Sequence, residues 1–298
     1  MRFGIMELQM ALLVPTGVPA ETLLQHVVHF DHAELTRRVA QSGLKTIELG
    51  GDLVLFFPSA YSPDQIERLA ALKSELNLGY TLHLPLWSVE LSTPLTSVRL
   101  GSVKAIVDVI NATRILDPED YVLHATGSLA AEFYRMSLPD QAHALILRQF
   151  QSAALDSIRR ILGETGLPSR KLAVETIEFP SDLTLELAEA LDLSLCLDTG
   201  HVLSGFSGNI DLNMALERCL PRLAQIHLHD APRWNPSTPI TYGKDHQQLG
   251  RGDLQVGPIL DRLALAGFQG PLIFELGIDE ALNSLETIRR TRPALPIA

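Results

Sequence analysis

The 298-residue chain has little cysteine, few aromatics and no long apolar run. Cys196 and Cys219 are its only cysteines, too few for a disulfide framework and in keeping with a reducing compartment, so the cytoplasm is the expected location. The segment Met1 to Met10 carries Arg2 and Glu7 where a signal peptide would have an apolar h-region. No later stretch approaches the roughly 20 apolar residues of a membrane span, and a soluble protein without a membrane partner is expected. Positive charge is also scarce: 24 Lys and Arg against 35 Asp and Glu leave a formal net charge of -11. Long nucleic acids are bound through clustered cations that release counterions, which excludes them as partners. A small-molecule substrate bearing one phosphate stays admissible, because the field in a cleft is set locally. No glycine-rich nucleotide fingerprint follows the first apolar run, so an open doubly wound sheet is only the runner-up architecture.

What is present is a large apolar fraction, 46%, with 20% charged residues, enough for a substantial core. Short apolar or β-branched runs recur at Phe3 to Leu8, Thr46 to Leu49, Gly79 to His83 and Tyr121 to His124, then at Leu172 to Glu175, Ser194 to Asp198, Ala224 to His227 and Pro271 to Glu275. Helical spacing of apolar residues marks His32 to Ser42, Pro63 to Leu76, Val98 to Asn111, Leu138 to Leu162 and Gln255 to Ala266 between them. Gly43, Gly166 and Gly267 follow helical patterns, where a C-terminal cap needs positive φ. Eight strand-helix units without a composition break, fixed repeat or linker predict a single α/β domain over residues 1–298, a (β/α)8 TIM barrel.

Ten histidines are present, and His83, His124, His201, His227, His229 and His246 fall at strand ends or in the loops just after them. His26, His29, His32 and His143 fall on helical stretches and read as structural or solvated. Glu175, Asp198 and Glu275 end strands five, six and eight. Strand ends of a TIM barrel converge at one mouth, where gathered carboxylates repel unless a cation or proton intervenes. A lone strand-end histidine is more often a hydrogen-bonded core residue than a ligand. His, Asp and Glu gathered together at a mouth make a poor stability device and a good metal site. Mixed imidazole and carboxylate donors suit Zn, Mn, Fe or Co, and two or three divalent ions are expected. Strand alternation is taken to give His227 the inward position and to leave His229 outside it, with Asp230 orienting the ligand.

The ordered set Thr81-Leu82-His83-Leu84-Pro85, Val122-Leu123-His124, Val174-Glu175, Leu197-Asp198-Thr199-Gly200-His201, Ile226-His227-Leu228-His229-Asp230, His246 through Gly252 and Phe274-Glu275 resembles the xylose isomerase-like TIM-barrel superfamily. That superfamily holds sugar isomerases and epimerases together with endonuclease IV-type apurinic-site nucleases. The resemblance implies one ion on Glu175, Asp198, His227 and Glu275, with His201 near the substrate in the isomerase branch. In the nuclease branch it implies a trinuclear zinc centre that adds His83, His124, His201 and His246. One departure concerns the third ion: the nuclease pattern has Asp two positions before the last histidine, whereas here Lys244 stands there and Asp245 is adjacent. The stretches Tyr80 to Leu86 and Tyr121 to His124 are similar to cobamide-remodelling phosphodiesterases, which implies the nucleotide loop of a cobamide as substrate.

Two schemes use these residues. For hydrolysis of a phosphodiester, bound ions lower the pKa of water to about 7 and neutralise phosphoryl charge, with Glu175 bridging and no side-chain triad required. For a sugar or sugar-phosphate isomerase or epimerase, Glu175 and Glu275 exchange a proton at carbon beside one ion. Hydrolysis is the preferred expectation, because the isomerase scheme has no ligand role for His83, His124 and His246. Lys244 and Arg251 are candidates to clamp phosphate or are solvated loop cations; Trp87 is a candidate to stack a substrate ring or to pack on a neighbouring loop. Glu48, taken as ending strand two, is a candidate to contact substrate or a helix N-terminus. A barrel using its ions only as a sensor or structural clip is the third possibility, disfavoured because a structural site is normally closed by four protein ligands. The loop from Ala231 to Gly250 is a candidate lid.

Overall fold

The computed structural model describes residues 1–9, 13, 25 and 27–295; His26 lies outside the described residues. Eight parallel strands, β1 (Arg2–Met6), β2 (Thr46–Gly50), β3 (Gly79–His83), β4 (Tyr121–Leu123), β5 (Leu172–Glu175), β6 (Ser194–Asp198), β7 (Leu223–His227) and β8 (Pro271–Phe274), form a closed barrel in sequence order. Closure is made by β8 against β1, with Arg2 opposite Pro271 and Ile5 opposite Phe274. The helices lying wholly among the described residues are α1 (His32–Ala40), α2 (Leu53–Phe56), α3 (Pro63–Leu76), α4 (Thr96–Thr113), α5 (Ser128–Arg135) and α6 (Asp140–Thr165). After them come α7 (Ser181–Ala190), α8 (Thr199–Leu203), α9 (Leu212–Cys219), α10 (Val256–Leu265) and α11 (Ile278–Thr291).

The strand runs are apolar on both faces because both are buried. Ile47 and Leu49, Tyr80 and Leu82, Leu195 and Leu197 belong to the main core cluster packed beneath the helices. On the other face, Val122, Ala173 and Cys196 form a separate small cluster inside the barrel. Each fully buried Leu or Ile contributes about 1.5–3 kcal/mol, so the helical coat is held by many such contacts rather than by its surface ion pairs. Gly43, Gly166 and Gly267 have φ of +89°, +64° and +67°, the left-handed conformation a C-terminal cap requires.

Three departures from the sequence reading matter for the mouth. The helix read from Leu138 begins at Asp140, because Pro139 disfavours helical geometry in the residue before it, and a separate α5 precedes it. Strand β2 continues to Gly50, so Glu48 sits one layer below the strand end, opposite Thr81 of β3. β4 and β8 stop one residue short of His124 and Glu275, which stand at the rim just past the paired strands.

Candidate metal centre

Glu175, the last residue of β5, is fully buried and lies at the middle of the mouth. Its Oε2 accepts hydrogen bonds from His124 Nε2 at 2.9 Å and His83 Nε2 at 3.1 Å. Its Oε1 lies 3.2 Å from His227 Nδ1 and 3.3 Å from His201 Nδ1. The His83 ring is fixed by its Nδ1 on Leu84 O at 2.9 Å, and the His201 ring by its Nδ1 on Thr176 O at 3.0 Å. The free nitrogens are thereby aimed inward.

Asp198 ends β6 and caps α8, its Oδ1 accepting from His201 N at 2.8 Å. Its Oδ2 faces His227 Nδ1 at 3.8 Å and His246 Nε2 at 3.7 Å. Glu275 Oε2 lies 3.0 Å from His246 Nε2 and 3.4 Å from His227 Nδ1. Asp245 Oδ2 lies 2.5 Å from His246 Nδ1 and 3.8 Å from His201 Nε2. The loop bearing Asp245 approaches α8 so closely that a Cβ on Gly200 would collide with the carbonyl oxygen of Asp245, an approach only glycine permits. The donors fall into four groups able to hold an ion, linked by shared residues: His83, His124 and Glu175; Glu175, Asp198, His227 and Glu275; Asp198, His229, His246 and Glu275; and His201, Asp245 and His246.

The electrostatics fit a cationic guest. Burial opposes charge on Glu175, yet His227 and His124 hold its carboxyl well below the ordinary range. Burial likewise opposes protonation of His246, but Asp245 and Glu275 outweigh it and push the imidazole up to about 11. His83, against the same burial, is raised to about 9 by Glu175. The carboxylates thus demand positive charge that His83, His227 and His246 supply by staying protonated, and divalent ions supply the same charge while leaving the imidazoles neutral as ligands. The donor set, nitrogen and oxygen without thiolate, suits Zn, Mn, Fe or Co.

Residues 36–294 match the family described as xylose isomerase-like TIM barrel. The chain belongs to that family. Among solved structures, this xylose isomerase-like barrel is similar to a D-tagatose 3-epimerase-like protein, at 19% identity and a TM-score of 0.70, covering 98% of this chain and 97% of that one. It is also similar to endonuclease IV from Thermus thermophilus, at 18% identity and a TM-score of 0.65, covering 99% and 100%. A 3-keto-D-glucoside 4-epimerase from E. coli shares 16% identity at a TM-score of 0.67, with 97% and 99% covered. At such identities these likenesses establish the fold. A comparison with curated proteins finds no match. Members of the family are enzymes that use divalent metals, which agrees with the donor clusters here. Among the described residues no helix is long and apolar enough to cross a membrane.

Several residues stand elsewhere than expected. His229 is fully buried and reaches the mouth beside His227, because alternation separates neighbours and residues two apart share a face. Its Nε2 accepts from Glu275 N at 2.9 Å, so its proton is on Nδ1, which faces Asp198 Oδ2 at 3.1 Å. Both nitrogens are used, one on the Asp198 carboxylate and one on the backbone of Glu275. Asp230 instead accepts from Gly250 N and Leu254 N, each at 2.8 Å, and organises the following loop rather than a ligand. Glu48 is fully buried beneath the mouth rather than in contact with a substrate. Its Oε2 accepts from Thr81 Oγ1 at 3.0 Å and from Gln225 Nε2, while its Oε1 lies 3.0 Å from His227 Nε2. That last contact is charge pairing off the hydrogen-bond direction. Gln225 and Thr81 escape the sequence reading, although each stands two residues before a histidine that faces the mouth.

Arg251 pairs with Glu280 at 3.1 Å, and exposed Lys244 lines a separate groove with Trp234 and Asn235, so neither cation reaches the mouth. Both lie on the far side of the loop whose inner side carries Asp245 and His246. Trp87 stands at the mouth rim, edge-to-face with Phe56 at 5.9 Å. Of the other histidines, His29 is exposed, His143 bonds Phe133 O and Tyr134 O, and His32 is buried against Glu7.

Proposed function

We propose that this barrel hydrolyses a phosphodiester in a small substrate at a centre of two or three divalent transition-metal ions. The observation carrying the reading is that the donors form four groups linked by shared residues, of which a one-ion isomerase or epimerase needs only the one built on Glu175, Asp198, His227 and Glu275. Ions bound there neutralise the charge developing on the phosphoryl oxygens and lower the pKa of an attacking water to about 7. Glu175 turns one oxygen to His83 and His124 and the other to His227, so a single rigid carboxylate spaces two sites. Glu48 and His229 hold His227, Asp198 and Glu275 in register. A cavity of about 350 Å³ lined by His83, Glu175, His246 and Glu275 has the size of a small-molecule site, and the net charge of -11 argues against a long nucleic acid as substrate. Within this class the nucleotide loop of a cobamide is the substrate to test first, on the similarity carried by Tyr80 to Leu86 and Tyr121 to His124.

A metal-dependent sugar or sugar-phosphate isomerase or epimerase is the second reading. It is favoured by Glu175 Oε1 and Glu275 Oε2 lying 3.2 and 3.4 Å from the same His227 Nδ1, a carboxylate pair around one ion fit to exchange a proton. Replacing His83 and His124 together with Asn separates the two. A hydrolase loses about one metal equivalent per chain, measured by elemental analysis of protein purified without chelator, and turns over tenfold or more slowly. Unchanged metal content and unchanged turnover would promote the isomerase.

A further inference from the structure

Beside the metal-bearing cavity is a second one of about 270 Å³, and Trp87, His124 and His201 line both. A molecule with its phosphate at the metal centre therefore places the adjoining group here. The walls are aromatic and apolar: Trp87, 54% exposed, together with buried Phe206 and Ile177. Phe206 is held at a fixed tilt by His201 at 5.2 Å and Tyr242 at 5.6 Å. Two hydroxyls, Thr126 and Ser128, also line it, and neither bonds another described group.

Among the described residues no free charge of either sign faces this space. Glu178 has its oxygens taken by Tyr242 Oη at 2.7 Å and by Arg135 Nη1, whose guanidinium also lies 5.2 Å from the Tyr242 ring. The N-terminus of α5 is filled by Glu90, which accepts from Gly127 N at 3.0 Å and Leu129 N at 3.2 Å. A second phosphate or a cationic group finds no partner here, whereas a flat neutral ring finds aromatic faces and hydroxyls for its edge.

We propose that this cavity is a subsite for an uncharged planar nitrogen heterocycle, carried on the same substrate whose phosphodiester the metal centre cleaves. The inference rests on the phosphodiesterase reading for the link to phosphate and on the cavity alone for the ring. Stacking a base on an aromatic side chain is worth roughly five- to a hundredfold in affinity.

The test uses adenosine as an uncharged ring probe. The chain has two tryptophans, so Trp234→Phe leaves Trp87 as the only tryptophan reporter. Adenosine should quench Trp87 fluorescence saturably, Phe206→Leu should weaken the apparent Kd at least fivefold, and Ser128→Phe should abolish saturation by filling the space. Quenching that never saturates, or an apparent Kd that Phe206→Leu leaves unchanged, overturns the subsite, even if Ser128→Phe fails to fold. In a second arm, the zinc-loaded protein should favour the methyl ester of adenosine 5′-phosphate over dimethyl phosphate, with Phe206→Leu lowering that kcat/KM ratio about tenfold. Equal cleavage of the two esters overturns the link between ring and phosphate. Cleavage of neither ester removes the phosphodiesterase reading and that link with it, while the fluorescence arm decides the ring site independently.

Discussion

Glu48 Oε1 lies 3.0 Å from His227 Nε2, one layer beneath the mouth, while Nδ1 of the same ring faces Glu175 and Glu275. A buried carboxylate behind that imidazole raises its basicity through charge. Glu48→Gln keeps the shape and removes the charge. The ion held by Glu175, Asp198, His227 and Glu275 should then bind about 10- to 100-fold more weakly, as measured by competition with a chelator of known affinity. An unchanged Kd would show that Glu48 only fills the barrel.

Glu175→Gln tests the bridge. Because one carboxylate serves two donor groups, its loss should remove more than one metal equivalent and bring turnover down by a hundredfold or more, on the order of losing a shared metal clamp. Far-UV circular dichroism should stay that of the parent, since the amide replaces the carboxylate atom for atom. Activity lost only in step with unfolding would count against the assignment.

The pH dependence of stability should depend on metal. His83 and His246 have pKa values raised from 6.5 to about 9 and about 11, so folding favours their protonated forms. That contribution is fully present below pH 6.5, declines as pH rises above it, and is gone once pH has passed the folded-state values. Metal-free protein should therefore lose Tm between about pH 6.5 and about pH 11, and zinc-loaded protein should lose much less, because ligation replaces the protons. Parallel Tm curves with and without zinc would refute this origin.

The barrel and most of the mouth are legible in the chain because both are written in local patterns. Strand runs such as Leu172 to Glu175 are apolar throughout and end in a charged residue, which signals a parallel strand and its rim at once. Glu48 reads as a strand end because Gly50 carries no side chain to mark the true end of β2. His229 reads as an outward residue only when a period of two is applied to the wrong pair. The fates of Lys244 and Arg251 depend on which side of a long loop faces inward, and sequence spacing carries no such information. Asp245 is legible as a candidate ligand despite its altered spacing, although the Gly200 contact that brings its loop against α8 is not.

The hydroxyl of Tyr242 is anchored on Glu178, across the cleft from the strand that precedes its loop. Three residues further on, that loop supplies Asp245 and His246. Two of the three donors in their group are thus carried by the loop, and the third, His201, by α8. Affinity for an ion at that group includes the entropy of seating the loop from Ala231 to Gly250, and by reciprocity an ion held there stabilises the seated loop. An ion held by that group would tie the loop to α8 as a clasp does.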